Sequence, residues 1–181
     1  MGRLRSMASV FLCSGDRILL LYRQGSRGAN NQWIGSAGGH FEPCELTDAR
    51  ACVLRELREE TGLDPSALTD LRLRYITLRN VNGEVRINYY FFAGIDGEPA
   101  LISNEGTLKW FDLADVPTEA MPFSARFMME HYRATGRFTD NLYGGISNGE
   151  TVIFTEMPPH KRHEKSFQPL DCIRKIVFER K

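Results

Sequence analysis

The hydrophobic positions of this chain mark out strands before anything else. Leu71 to Arg79, LRLRYITLR, alternates apolar and polar residues almost without a break, which predicts a half-buried strand. Asn82-Gly83 follows, a pair that favours a tight hairpin turn, and Glu84 to Ile95 is its predicted partner strand, more apolar towards its end. Ala8 to Cys13 and Arg17 to Tyr22 are β-rich runs around Ser14-Gly15-Asp16, the pattern of a second hairpin. Residues 23 to 32 read as a polar loop, and Trp33 to Ala37 leads back into the sheet. Thr107 to Leu113 and Thr151 to Thr155 are shorter strand candidates.

Two segments change to the helical period. Residues 47 to 61 carry Val53, Leu54 and Leu57 on one side, with Thr47 or Asp48 as cap and Gly62 as stop. A second helix is predicted over about Ser124 to Thr135, after Met121-Pro122, with Phe127, Met128 and Tyr132 on its buried side. Asp171 to Arg180 is predicted as a short terminal helix with no assigned role, after a Pro-rich basic stretch at 157 to 167. Strands around one helix, with a second helix after the last long strand, give an α+β or α/β sandwich.

The first helix is unusual on its polar side. Glu56, Glu59 and Glu60 stand at i, i+3 and i+4, on one face within about one turn. Alone, such a run reads better as a solvated acidic face, and the upstream glycines and the closing Gly62 shift that balance. Partly buried, it would raise its own pKa values or demand a cation, and hard oxygen ligands suit Mg²⁺ or Mn²⁺. Gly38-Gly39 just upstream reads as a glycine loop that permits close backbone approach to a ligand.

The stretch from Gly38 to Leu63 resembles the Nudix box: Gly39, Glu45, and the run Arg55-Glu56-Leu57-Arg58-Glu59-Glu60-Thr61-Gly62-Leu63. It departs from the family pattern in two ways. Nine residues separate Glu45 from Arg55 instead of seven, and Cys44 stands where the family usually has glycine. The sequence therefore does not fix where Glu45 sits. The resemblance covers about residues 7 to 156 as a Nudix hydrolase domain and leaves 157 to 181 as a tail of unknown role. It implies an α+β fold of the Nudix type, an α/β/α sandwich with a mixed sheet and the acidic motif helix.

It also implies chemistry. The carboxylates of Glu56, Glu59 and Glu60 and the carbonyl of Gly39 would bind Mg²⁺, or Mn²⁺. Arg55 would orient a glutamate by an ion pair. Glu105, in the loop before the Trp110 strand, would act as base or further ligand, and Glu42 could reach metal through water. Glu56, Glu59, Glu105 and Arg55 are thus the catalytic candidates. The substrate-binding candidates are Arg23, Asn31, Trp33, Gly38 and Phe123, with Phe127 beside the last. For Trp33, core packing is the better reading than stacking on a base. His40 could approach phosphate. Members of the family that sanitise oxidised purine nucleotides resemble this chain around the second helix, but some have acidic base readers where Phe123-Ser124 stand here. The implied activity is cleavage of a nucleoside triphosphate to monophosphate and pyrophosphate, with an oxidised purine dNTP such as 8-oxo-dGTP among the substrates. Alternatives are ADP-ribose, a dinucleoside polyphosphate or capped RNA ends as substrate, or a nucleotide-binding module without catalysis.

Composition narrows this little further. The chain has 181 residues, enough for one domain and a tail, and is 42% hydrophobic. Its formal net charge is zero, which argues against binding long nucleic acid or acidic membranes, and no apolar run is long enough to span a bilayer. The start, MGRLRSM, does not read as a signal peptide. Cys13, Cys44, Cys52 and Cys172 lack the CxxC spacing of zinc or redox sites and suit a reducing cytoplasm. A nucleotide is the expected partner, and the oligomeric state stays open, a homodimer included.

Overall fold

The computed structural model describes residues 3–24 and 31–157. Its strands are β1 (Arg3–Ser14), β2 (Arg17–Arg23), β3 (Gln32–Ile34), β4 (Ala37–His40), β5 (Leu68–Val81), β6 (Glu84–Ile95), β7 (Gly106–Asp112), β8 (Leu142–Ser147) and β9 (Val152–Met157). The helices are α1 (Ala49–Thr61) and α2 (Phe123–Ala134). The predicted helix over Asp171–Arg180, His160, His163 and Cys172 lie outside the described residues.

Both predicted hairpins form. β1 and β2 turn through Gly15, and β5 and β6 turn through Asn82-Gly83, whose φ values of 53° and 81° suit an asparagine–glycine pair. The strands are joined in the order β3-β2-β1-β6-β5-β8-β9, with β4 on β1 and β7 on β2. Parallel pairing of β1 with β6 and of β5 with β8, amid antiparallel neighbours, makes the sheet mixed.

Alternation along the central strands divides the core in two. On β1 and β6, Phe11, Tyr90 and Phe92 face α2, where they meet Met128 and Met129. Val10, Leu12, Phe91 and Ala93 face α1, where they meet Cys52, Val53 and Leu57. Each fully buried side chain of this size stabilises the fold by about 1.5–3 kcal/mol. The result is a sheet between helices.

The structure differs from the sequence pattern in three places. β1 begins at Arg3, because parallel pairing with β6 runs from Arg3 opposite Glu84 onwards; basic side chains hide that strand from a hydrophobic reading. The Gly38-Gly39 pair is not a loop but lies in β4, antiparallel to β1, with Gly38 opposite Ser9 and Gly39 opposite Ala8. β8, LYGGIS, was not foreseen as a strand, because two glycines obscure it. Gly145 is required there by packing: a Cβ would stand 2.6 Å from the Phe154 ring and 2.8 Å from Val152.

Candidate active site

The glycines of β4 and the acidic helix meet by close approach. Gly39 faces α1, and a Cβ built on it would stand 2.2 Å from the Glu56 carboxylate. Gly38 faces the other way, against the backbone of Ala8 and Ser9. The missing side chains let α1 pack carboxylate-first onto the strand. The helix is held in register at both ends. Asp48 caps it by accepting from the Ala51 N–H at 3.0 Å, and Gly62, at φ 69°, closes it by donating to the Arg58 carbonyl at 2.9 Å.

Arg55 is the hub of the helix face. Its guanidinium grips Glu45 through two bonds of 2.7 and 3.0 Å, then Glu56 at 2.8 Å and Glu59 at 3.0 Å, and also donates to the His40 carbonyl at 3.1 Å. These bonds, that to Glu45 foremost, raise the Arg55 pKa above its ordinary value. In return they hold the buried Glu45 carboxyl down at about 2. Between Glu45 and the helix the chain makes an exposed turn at Leu46–Thr47, after a 3-10 turn over Pro43–Glu45. Glu45 thus reaches Arg55 despite the altered spacing.

Glu60 occupies a different environment. It is buried and accepts a hydrogen bond from the Gly38 N–H at 3.0 Å. Burial pushes its pKa up to about 7, against the pull of that bond and reinforced by the charge of Glu56. Glu56 is also raised, by burial against the pull of Arg55. Arg23 and Glu105 are close enough for both charges to be felt at Glu60. They form an ion pair across β2 and β7, where Arg23 lies opposite Gly106. Arg23 Nε is buried with no partner among the described residues.

The other candidates scatter. Trp33 packs on Tyr22 and Phe111, at 4.9 and 4.7 Å between ring centres, as part of the α2-side core. Asn31 is exposed at φ 55° and donates its N–H to the Arg23 carbonyl. Phe123 opens α2 edge-on to Phe127, with the Arg79 guanidinium 4.0 Å above its ring. Arg79 was not singled out from sequence; it is an ordinary polar position of an alternating strand until α2 lands on it. His40 is hydrogen-bonded to Arg5, and its pKa is lowered by partial loss of solvent around the ring and by that charge. Glu42 and Cys44 are exposed, and Cys44 is a free thiol.

Among the described residues no three acidic, His or Cys side chains already converge on one point as a metal site. Glu59 is turned outward to Arg55, away from the Gly38 N–H that Glu60 meets. The donor chemistry nevertheless fits a hard divalent cation. Glu56 and Glu60 are carboxylates whose burial disfavours their charge, the cost a Mg²⁺-like ion would offset, and both lie close against the glycine backbone of β4.

Residues 3–131 match the family model of the NUDIX domain. No curated protein sequence matches the chain. Among solved structures it is similar to the mutator MutT protein of Bacillus halodurans, with TM-score 0.59 and 22% identity over 85% of this chain and 98% of that one. It is also similar to the MutT NUDIX hydrolase of Burkholderia pseudomallei, with TM-score 0.57 and 26% identity over 71% and 97%. The Ap4A hydrolase of C. elegans, in a binary complex, matches with TM-score 0.59 and 19% identity over 75% and 99%.

Proposed function

The chain belongs to the Nudix family and is a nucleotide pyrophosphohydrolase, and from that premise we propose that it cleaves a nucleoside triphosphate to monophosphate and pyrophosphate in the cytoplasm. An oxidised purine dNTP such as 8-oxo-dGTP is among the substrates proposed. The observation that carries the reading is the contact of Glu60 with the Gly38 N–H, beside Glu56 on Gly39 and the Arg23–Glu105 pair. It gathers three carboxylates and a cation around bare backbone, which suits a phosphate chain.

In this reading Glu56, Glu59, Glu60 and the Gly39 carbonyl would hold Mg²⁺ or Mn²⁺. The ion, when bound, neutralises phosphate charge and lowers the pKa of a water. Arg55 orients Glu56 and Glu59 and does not touch phosphate. Glu105, steadied by Arg23, accepts the proton of the attacking water or serves as a further ligand. Arg23 turns its unpartnered Nε to the phosphates. Phe123 and Phe127, at the start of α2, are the proposed contacts of the base.

The likeness to an Ap4A hydrolase is as strong in TM-score as that to a MutT protein, so a dinucleoside polyphosphate is the second reading. One experiment separates them. Product release is followed with Mg²⁺ on ordinary and oxidised dNTPs, ADP-ribose and a dinucleoside polyphosphate, with Glu60→Gln as blank. Pyrophosphate released from a triphosphate, and absent from the blank, supports the proposal. Turnover of the dinucleotide alone moves the assignment to the second reading. Tight binding without turnover of any of them contradicts both.

A further inference from the structure

α1 covers only part of its side of the sheet. It packs over β1 and β4, and the first half of β5 joins that core through Leu71 and Leu73; the second half of β5, with β8 and β9, leaves the same face uncovered among the described residues. The register makes that face continuous: Ile153 lies opposite Ile146, Ile146 opposite Leu78, and Leu78 opposite Ile87. Ile146 and Ile153 are 66% and 62% exposed, and Met157 is 41% exposed. On the other side of the same strands Tyr75, Tyr143 and Phe154 pack beneath α2. Among the described residues, β8, β9 and the second half of β5 are covered on one side only. Scattered apolar residues on a surface need no explanation, but a contiguous row across strands marks a surface that something covers.

The chain itself continues past this face. β9 is the edge strand, and Met157, its last residue, lies at the margin of the apolar row. Residues 158–181 follow. In them Leu170, Ile173, Ile176 and Val177 recur at helical spacing, an apolar stripe roughly 120° wide, with Asp171, Lys175 and Glu179 opposite. Pro169 stands where a helix start tolerates proline. The intervening residues 158–169 span up to roughly 40 Å when extended, enough to return over the sheet from Met157. β5 to β9 measures about 10 Å at the usual strand spacing, close to the ~10 Å diameter of one helix. Covalent attachment holds such a segment at an effective concentration on the order of mM, which favours it over a second copy of the chain.

We propose that the exposed face of β5, β8 and β9 is the docking site of this chain's own C-terminal segment, Leu170–Phe178, seated by its apolar stripe. The segment completes the second layer beside α1. This inference does not depend on which nucleotide the enzyme cleaves.

Hydrogen exchange on the full chain tests it, with Ile146→Thr/Ile153→Thr to alter the face and Ile173→Ser/Ile176→Ser to alter the segment. Threonine keeps the β-branched shape that strands favour, and retained nucleotide hydrolysis reports a folded protein. In the unaltered chain, amides 171–179 should exchange at least tenfold more slowly than in a free peptide. Each double variant should remove that protection, and the segment variant should speed exchange along β9. Peptide-like rates in the unaltered chain would overturn the proposal, as would protection that survives the face substitutions. Protection that grows with protein concentration, alongside a dimer in sedimentation, would assign the face to a second copy and overturn it too. Should the face variant misfold, the segment variant decides alone through exchange of β9.

Discussion

A methyl group added at Gly38 or at Gly39 would meet quite different neighbours. At Gly38 it would run into backbone, 2.4 Å from the Ala8 carbonyl oxygen and 2.7 Å from the Ser9 Cα, neither of which can yield without parting β1 from β4. At Gly39 it would meet the end of a flexible side chain, the Glu56 carboxylate. Gly38→Ala should therefore lower stability by about 1–3 kcal/mol, the usual cost of overpacking, seen as a lower melting temperature. Gly39→Ala should leave melting nearly unchanged but displace Glu56, and its kcat should fall by tenfold or more. Equal loss of stability in both would contradict this assignment of faces. Glu45 supports a different prediction. Its carboxyl sits near 2 in the fold against an ordinary 4.5. The stability it contributes is complete above about pH 4.5 and is lost as pH falls towards 2. Glu45→Gln should cost about 2 kcal/mol at neutral pH, in the range of hydrogen bonds to charged groups, and flatten the acid limb of a pH–stability curve. An unchanged limb would mean that Arg55 does not hold Glu45 in solution.

At the scale of elements, α1 is the one whose ends and faces all bear on the site. Asp48→Ala removes the cap on Ala51 and should cost about 1 kcal/mol, read by denaturant midpoint, with activity falling only as far as the helix frays. The position and stop of this helix were legible from Asp48, Gly62 and the spacing of Val53 and Leu57, because caps and apolar period are local properties. The β5–β6 hairpin was legible for the same reason. β8 was not, since Gly144-Gly145 carry no strand propensity; only Phe154 and Val152, brought over them by β9, show why glycine is needed there. Nor was the strand character of Gly38-Gly39, which depends on β1 lying alongside.

Across the whole molecule, the site is a meeting of four elements: α1, β4, the end of β2 and the start of β7. Its electrostatics follow from their convergence. Glu60, raised to about 7 from an ordinary 4.5, carries its charge at a cost once folded. In metal-free protein this contribution is harmless below about pH 4.5 and erodes stability as pH rises through 7. A divalent cation should reverse it. Mg²⁺ at a hundred times its dissociation constant should stabilise the fold by about 2.7 kcal/mol, with a larger thermal shift at pH 8 than at pH 5. Chelator should abolish hydrolysis, and added Mg²⁺ or Mn²⁺ should restore it. Full activity in excess chelator, or a thermal shift independent of pH, would remove the metal assignment.

The sequence by itself determined the strand alternation, two hairpins, two helices and the row of carboxylates on one helix face, because each depends on residues within a turn or a strand of one another. It also contained Arg55 and Glu45, but not their contact, because nine residues separate them instead of seven and only folding shows that Glu45 still reaches Arg55. The burial of Glu60, the pairing of Arg23 with Glu105, the stacking of Arg79 on Phe123 and the exposed row on β5, β8 and β9 belong to tertiary structure alone. Each joins residues far apart in the chain, and no local pattern records which strands lie side by side or which face a helix leaves uncovered.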